Sequence, residues 1–345
     1  MFRHRTTGRT AGSPTTSPEY GSHRRTLLKA TSLAGLAAVS GCASLRDPAT
    51  VSAQPETMMG NPIEAYTRSV NDAEIVTLLD GFFPLELGLF TNIGEEALAA
   101  VLRAHYQNPE NPINLGISAH LVRIGGKNVL IDTGAGGQFG PTAGRMRSTL
   151  ASIGADPDSI DEIILTHLHP DHIGGAIDGG EAAFPNAGLH VSNTEAEFWT
   201  SEQNRSQAPE QFKSMFDLAR NVLDAYGDRV NRFSGEPELL AGVSAISMPG
   251  HTVGHMGYRI ESGNEQLLIW GDMTAIAAVQ FAEPEAGIAF DADSLQAAET
   301  RRRILDMVAD DRLLIAGSHL PYPAYGHVER ATDGYRYVAE EFQYG

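Results

Sequence analysis

The chain has 345 residues, with 43 acidic against 25 basic side chains and a formal net charge of −18. An apolar share of 42% over that length suffices for one large α/β domain with a sizeable core. The acidic balance speaks against a nucleic-acid partner, and the single cysteine, Cys42, excludes an intrachain disulfide and a thiolate-rich metal site.

Residues 1–23 are polar and carry no apolar period. Arg24 and Arg25 then precede an apolar stretch from Leu27 to Val39 that is too short and too rich in Ala, Gly and Ser for a membrane span. A basic region, a short apolar region and small residues predict an export signal. The arginine pair resembles a twin-arginine signal, and "VSGC" resembles a bacterial lipobox, which implies a lipidated Cys42. Residues 1–42 are therefore read as the export signal of a periplasmic or membrane-anchored protein. Residues 43–70, with Pro48, Pro55 and Pro62, are read as a linker, and 71–345 as the folded domain.

In chain order, "EIVTLLDG" (74–81) predicts a strand ending at a turn, and "EEALAAVLRAHY" (95–106) has the apolar spacing of a helix. "SAHLVRIGGKNVLIDTG" (118–134) reads as a hairpin around Gly125 and Gly126. "DEIILT" and "AGLHVS" are short strands. Ser192 and Glu195 then form a capping box for a helix ending near Thr200. "QFKSMFDLARNVLDAYG" (211–227) is an amphipathic helix. "GVSAIS", "GHMGYRI", "QLLIWGD" and "RLLIAGSH" are strands. "DSLQAAETRRRILDMVADD" (293–311) is a helix, with Arg301, Arg302 and Arg303 as a solvated face. Intermixed strands and helices, several as hairpins, predict mixed sheets with helices packed outside.

Five of these strands deliver an Asp or His at or just beyond the C-terminal end: Asp132, His167, His251, Asp272 and His319. A sheet gathers such ends on one rim. The densest group lies in "ILTHLHPDHIGG" (164–175), where His167, His169, Asp171 and His172 fall within six positions. His167 and His169 are two apart, so an extended backbone turns both to one side. Pro170 holds His169 out of helical conformation. Asp171 and His172 are adjacent and face different directions, so the cluster suits two ions better than one. Histidines and carboxylates without thiolate suit zinc first, with manganese, cobalt or iron(II) compatible.

The segment "THLHPDH" is similar to the T-H-x-H-x-D-H signature of the metallo-β-lactamase superfamily, and "GHTVGH" (250–255) and "WGD" (270–272) resemble its later motifs. The resemblance implies an α/β fold, a four-layer αββα sandwich, with a binuclear metal site at one edge. It implies His167, His169 and His251 on one ion, Asp171, His172 and His319 on the other, and Asp272 bridging them. Asp132 and His255 would support these ligands from outside. "VLIDTGAGGQFGPTAGR", "DEIILTHLHPDHIGG" and "SHLPYPAYGHVERATDGYRYV" resemble the methyl parathion hydrolase family more narrowly, over about residues 115–340. That likeness implies an aromatic substrate pocket with Phe139, Trp199 and Phe212, and by analogy a homodimer.

Two divalent ions sharing one water lower its pKa towards neutrality, so the implied nucleophile is a bridging hydroxide and no Ser or Cys nucleophile is needed. Asp272, Asp171 and His319 are the residues expected nearest the reaction. The likeness to the methyl parathion hydrolase family, with the export signal, implies an exported hydrolase of neutral organophosphate triesters or aryl esters, since the implied apolar pocket suits an aryl leaving group. An acyl-homoserine lactonase or other carboxylic-ester hydrolase would use the same metals. A β-lactamase is disfavoured by the absence of a site cysteine in the subclasses that use one. A glyoxalase II-like thioesterase is disfavoured by the absence of a glutathione-binding region. A non-catalytic surface lipoprotein is disfavoured by the complete ligand set.

Overall fold

In the computed structural model, which describes residues 64–343, two seven-stranded sheets pack face to face. Spatial order follows chain order in both. The first sheet runs through Ala65–Val70, Ala73–Leu85, Ile113–Ile124, Lys127–Ile131, Glu162–Ile164, Gly188–Ser192 and Val230–Phe233. The second runs through Glu238–Leu240, Val243–Ser247, Met256–Ser262, Glu265–Ile269, Leu314–Ala316, Tyr325–Arg330 and Tyr335–Ala339.

The period-two alternation of a strand decides which layer each residue joins. Val129 and Ile131 enter the core between the sheets, with Ile75 and Ile164, against Tyr258, Ile260, Leu267 and Ile269. Leu130, between them, turns outward and joins Leu121, Ile163 and Leu189 beneath the helices Met146–Ser152, Asn193–Thr200 and Lys213–Tyr226. On the far side, Leu268, Trp270 and Ile315 are covered by Ile304, Leu305 and Val308 of the helix Ser294–Asp310. The result is the expected αββα sandwich. Covered on both faces, the central strands read as unbroken apolar runs.

Parallel pairing places the strand ends. Lys127–Ile131, Glu162–Ile164 and Gly188–Ser192 run in the same direction, as do Glu265–Ile269 and Leu314–Ala316 in the other sheet. Asp132, His167, Asp272 and His319 lie just past the C-terminal ends of four of these strands.

Several expectations need correction. Residues 65–70, read as the end of the linker, form an edge strand that pairs antiparallel with Ala73–Leu85. The strand expected to end at Gly81 continues to Leu85. Its register shifts between Leu79 and Gly81, and it then pairs on with residues 113–117. Gly81 takes φ +150°, and a Cβ there would fall 2.2 Å from the Thr142 carbonyl oxygen. The Ser192–Glu195 capping box does not form: the Ser192 side chain makes no cap bond, and Glu195 is used elsewhere. Arg301 is buried rather than solvated. The export signal, Cys42 and the linker up to residue 63 lie outside the described residues.

Asp80, beside the Gly81 irregularity, anchors the long loop that follows Ile131. It is fully buried, and its carboxylate accepts the backbone N–H groups of Ala135 (3.0 Å), Gly144 (2.9 Å) and Met146 (2.8 Å). Burial pushes its pKa up, against the opposing pull of those three donors. Asp80→Ala removes one acceptor and leaves three backbone donors unpaired, two of them buried, so it should destabilise the fold by about 2 kcal/mol or more. Denaturant unfolding of the two proteins measures this, and a shift below about 1 kcal/mol would contradict the assignment.

Candidate metal centre

The structure brings all seven expected ligands together. One nitrogen or oxygen each from His167, His169, His251 and Asp272 forms one group, and one each from Asp171, His172, Asp272 and His319 forms a second. Within each group the four atoms lie within 4.8 Å of one another, and Asp272 belongs to both. All seven except Asp171 are buried.

Local backbone sets the first four side chains. His169 is extended (φ −74°, ψ 154°), and Pro170 opens the short helix Pro170–Ile173, where its missing N–H costs nothing. The backbone therefore changes direction between His169 and Asp171, which sends them to different groups. Gly174 and Gly175 press against the loop after Ile131. A Cβ at either would fall 2.1 Å from the Ala135 carbonyl oxygen or 2.0 Å from that of Thr133.

Most of the imidazoles have one nitrogen engaged, which turns the other to the centre. His172 Nδ1 donates to Asp132 Oδ2 (2.7 Å), His319 Nδ1 to the Gly116 carbonyl (2.6 Å), and His251 Nδ1 to Asp291 Oδ1 (2.9 Å). His167 Nδ1 contacts the Thr166 hydroxyl (3.0 Å), which donates in turn to Asp132 Oδ2 (2.8 Å). His169 differs and presents Nδ1, 2.9 Å from His251 Nε2. His255 is not in either group. Its Nδ1 donates to the Met248 carbonyl, and its Nε2 accepts the backbone N–H of Asp272 (3.0 Å). Gly271, with φ +53°, has no room for a Cβ, which would fall 2.7 Å from that Nε2.

The donor chemistry fits divalent cations. His167 Nε2, His172 Nε2 and Asp272 Oδ1 are buried and have no hydrogen-bond partner, although the last two are 3.1 Å apart. Unpaired buried donors and acceptors are costly unless something completes them. Burial, reinforced by neighbouring histidines, pushes the pKa of His167 and of His169 well down, which keeps both neutral as a ligand must be. Burial also opposes charge on His172, but Asp272, Asp132 and Asp171 outweigh it and hold its pKa well above the ordinary value. Burial would raise the Asp272 pKa, yet His172 and His319 hold it well below the ordinary range.

Three carboxylates that the sequence reading passed over or assigned otherwise hold the loops. Glu195 is completely buried. Its Oε1 accepts the Leu168 N–H (3.1 Å) and the Trp199 indole N–H (2.6 Å), and its Oε2 accepts the Thr252 hydroxyl and the Gly254 N–H (2.9 Å each). It thus fastens the loop of His167 and His169 to the loop of His251. Asp291 aligns His251, and Asp80 holds the loop that packs on Gly174. Nothing in local sequence marks these roles, because the loops that each carboxylate joins are distant along the chain.

Beside the centre is a cavity of about 60 Å³ lined by Phe83, Leu115, Phe139, Met215, Ile288 and Phe290, with ligand side chains at its floor. Phe139 is there as expected. Trp199 is not: it is buried behind His169, with ring centroids 5.5 Å apart and its N–H spent on Glu195. Phe212 stands behind Phe290 at 6.4 Å and does not line the cavity. Phe83 packs on Phe139 (5.1 Å) and supplies a second ring that sequence reasoning missed. A wider groove of about 690 Å³ opens beyond Leu115, Ala275 and His319.

Asp132→Ala would leave the Thr166 N–H, the Thr166 hydroxyl and His172 Nδ1 without their acceptor. Zinc affinity, measured by competition with a chelator, should fall about 10- to 100-fold while the protein stays folded. An unchanged affinity would remove Asp132 from the centre's support.

Residues 113–319, more than half of the chain, match the profile of the metallo-beta-lactamase superfamily. The crystal structure of hydrolase AbOPH, of the beta lactamase superfamily, superposes with a TM-score of 0.77 at 32% identity, covering 81% of this chain and 98% of that one. AidC, a dizinc quorum-quenching lactonase in complex with the product N-hexanoyl-L-homoserine, also gives 0.77, at 27% identity over 82% of this chain and 100% of that one. A probable metallo-hydrolase of Mycobacterium bovis is 27% identical over 214 residues, 52% of this chain, and the match spans 65% of its length. With a shared profile, a superposable sandwich and both four-atom groups in place, this chain belongs to the metallo-β-lactamase superfamily.

Proposed function

We propose that the protein is a hydrolase with two divalent metal ions, zinc by default, acting on small neutral esters that carry an apolar group. Lactones and other carboxylic esters are the first substrate class. The observation that carries this reading is the pairing of two four-atom groups through Asp272 with an aromatic cavity that has no Lys or Arg among its lining residues. The cavity walls carry no cation to pair with a charge on the substrate remote from the metals, whereas their rings suit an apolar acyl or aryl group. His167, His169, His251 and Asp272 would hold one ion, and Asp171, His172, Asp272 and His319 the other. When bound, such a pair supplies Lewis acidity and a nucleophilic water at neutral pH.

The chain's own residues supply the rest. Phe83, Phe139 and Phe290 hold the apolar part and exclude water from the floor of the cavity. Asp171, the most exposed of the seven ligands, faces incoming substrate most directly. Asp132, Asp291 and the Gly116 carbonyl fix which nitrogen of each partner histidine is protonated, so no reorganisation is needed as charge develops. The lactone assignment draws on the likeness to AidC, whose bound product is an acyl-homoserine. A second reading, hydrolysis of aryl phosphotriesters, is supported by the Phe83–Phe139 pair, which would stack on an aryl leaving group, and by the resemblance of residues 318–338 to the methyl parathion hydrolase family. We also propose that the enzyme acts outside the cytoplasm, from the paired arginines and the "VSGC" segment.

Two experiments test these assignments. Purified protein, stripped with a chelator and reloaded with zinc, should regain hydrolysis of N-hexanoyl homoserine lactone in proportion to metal added. The kcat/KM for that lactone should exceed the value for a diethyl aryl phosphate by about tenfold or more. The reverse order would make it a phosphotriesterase, and no metal-dependent turnover of either would overturn the hydrolase reading. Phe139→Ala should raise KM for the hexanoyl substrate about 10-fold or more, from about 1.5–3 kcal/mol of lost apolar contact, with kcat less affected. An unchanged KM would place the apolar group elsewhere.

A further inference from the structure

Segment 273–291 forms one wall of the cavity through Ala275, Ile288 and Phe290, and ends at Asp291, the partner of His251. It contains little regular structure: the four-residue helix Ala277–Gln280 and a two-residue bridge from Gly287 and Ile288 to Phe90 and Thr91. Two buried polar side chains hold it instead. Gln280 Oε1 accepts the N–H groups of Ala275 (2.6 Å) and Ile276 (3.2 Å), and its Nε2 donates to the Ala286 carbonyl (3.0 Å). Arg301, 1% exposed, donates through Nε to the Met273 carbonyl (3.0 Å) and through Nη1 to those of Pro284 (2.7 Å) and Ala286 (2.9 Å).

Arg301 has no salt-bridged carboxylate among the described residues. Burying a guanidinium that way is costly, and an apolar side chain would fill the same space at lower cost. Its rigid fork, however, reaches three carbonyls from two fixed nitrogens; Met has no donor, and a Lys ammonium gathers its donors on one flexible point. The preceding residue, Thr300, donates to the Pro249 carbonyl (2.6 Å), two residues before His251. One turn of the helix Ser294–Asp310 therefore grips both the cavity wall and the loop that carries a ligand histidine. On its other side the wall packs through Val279 and Ile288 in the cluster that includes Leu98 and Leu102 of the helix Glu95–Ala104.

We propose that Arg301, acting with Gln280, is a positioning residue that sets substrate-size selectivity by fixing segment 273–291 against the metal centre. The kinetic consequence rests on the ester-hydrolase reading, but the structural one does not. The test uses the zinc-loaded full chain and the variants Arg301→Lys and Gln280→Glu. Amide hydrogen exchange over residues 274–290 should quicken about tenfold or more in both variants, with residues 113–131 unchanged and metal content retained. The ratio of kcat/KM for butanoyl to decanoyl homoserine lactone should shift about tenfold, mainly through KM, with kcat on the short substrate changed less than about threefold. Wild-type exchange and a wild-type ratio in folded variants would overturn the proposal. If Arg301→Lys does not fold, the same two readings on Gln280→Glu decide it. If the wild type turns over no ester, the hydrolase reading fails separately and the exchange result alone decides this one.

Discussion

Everything at the centre is arranged around the buried carboxylate of Asp272. Its oxygens lie 3.1 Å from His172 and His319, 3.2 Å from His251 and 3.9 Å from His167. Gathering a carboxylate and that many imidazoles away from water is expensive unless charge is balanced and remaining lone pairs are met. The surrounding hydrogen bonds decide in advance which nitrogen of each ring faces inward. These hydrogen bonds orient the ligand side chains from outside the two four-atom groups.

The sandwich makes this arrangement possible by bringing strand ends from both sheets to one rim. Strand ends alone position backbone, however, and the loops beyond them need their own fastening. Three buried carboxylates that belong to neither four-atom group do this. Asp80 draws in the loop after Ile131, Asp132 joins Thr166 to His172, and Glu195 spans the loops of His169 and His251. Each accepts at least three donors, so a single side chain satisfies several polar groups that would otherwise be unpaired.

The ligand set was unusually legible because much of its chemistry is written locally. Six consecutive positions carry four ligands, and Pro170 sets the backbone between them. His251, Asp272 and His319 are legible because each follows a segment that reads as a strand, and the family resemblance then assigns them to the centre. What stayed hidden depends on contacts across the fold. Glu195 sits where a helix cap would, and only the tertiary structure shows it facing Leu168 and Gly254 instead. Arg301, Arg302 and Arg303 are alike in sequence; the carbonyls of Met273, Pro284 and Ala286 decide which one turns inward. Phe139 and Trp199 were equally plausible as pocket rings, yet one lines the cavity and the other braces His169 from behind. The edge strand Ala65–Val70 reads as linker in sequence because its alternation is short; its pairing with Ala73–Leu85 is seen only in the fold.

The most direct measurement is metal stoichiometry by mass spectrometry on zinc-loaded protein, wild type beside Asp272→Ala, after exhaustive dialysis. Because Asp272 belongs to both groups, the wild type should retain two ions per chain and the variant should lose both cooperatively. A wild type holding fewer than one ion, or a variant that keeps two, would contradict a centre organised on that carboxylate.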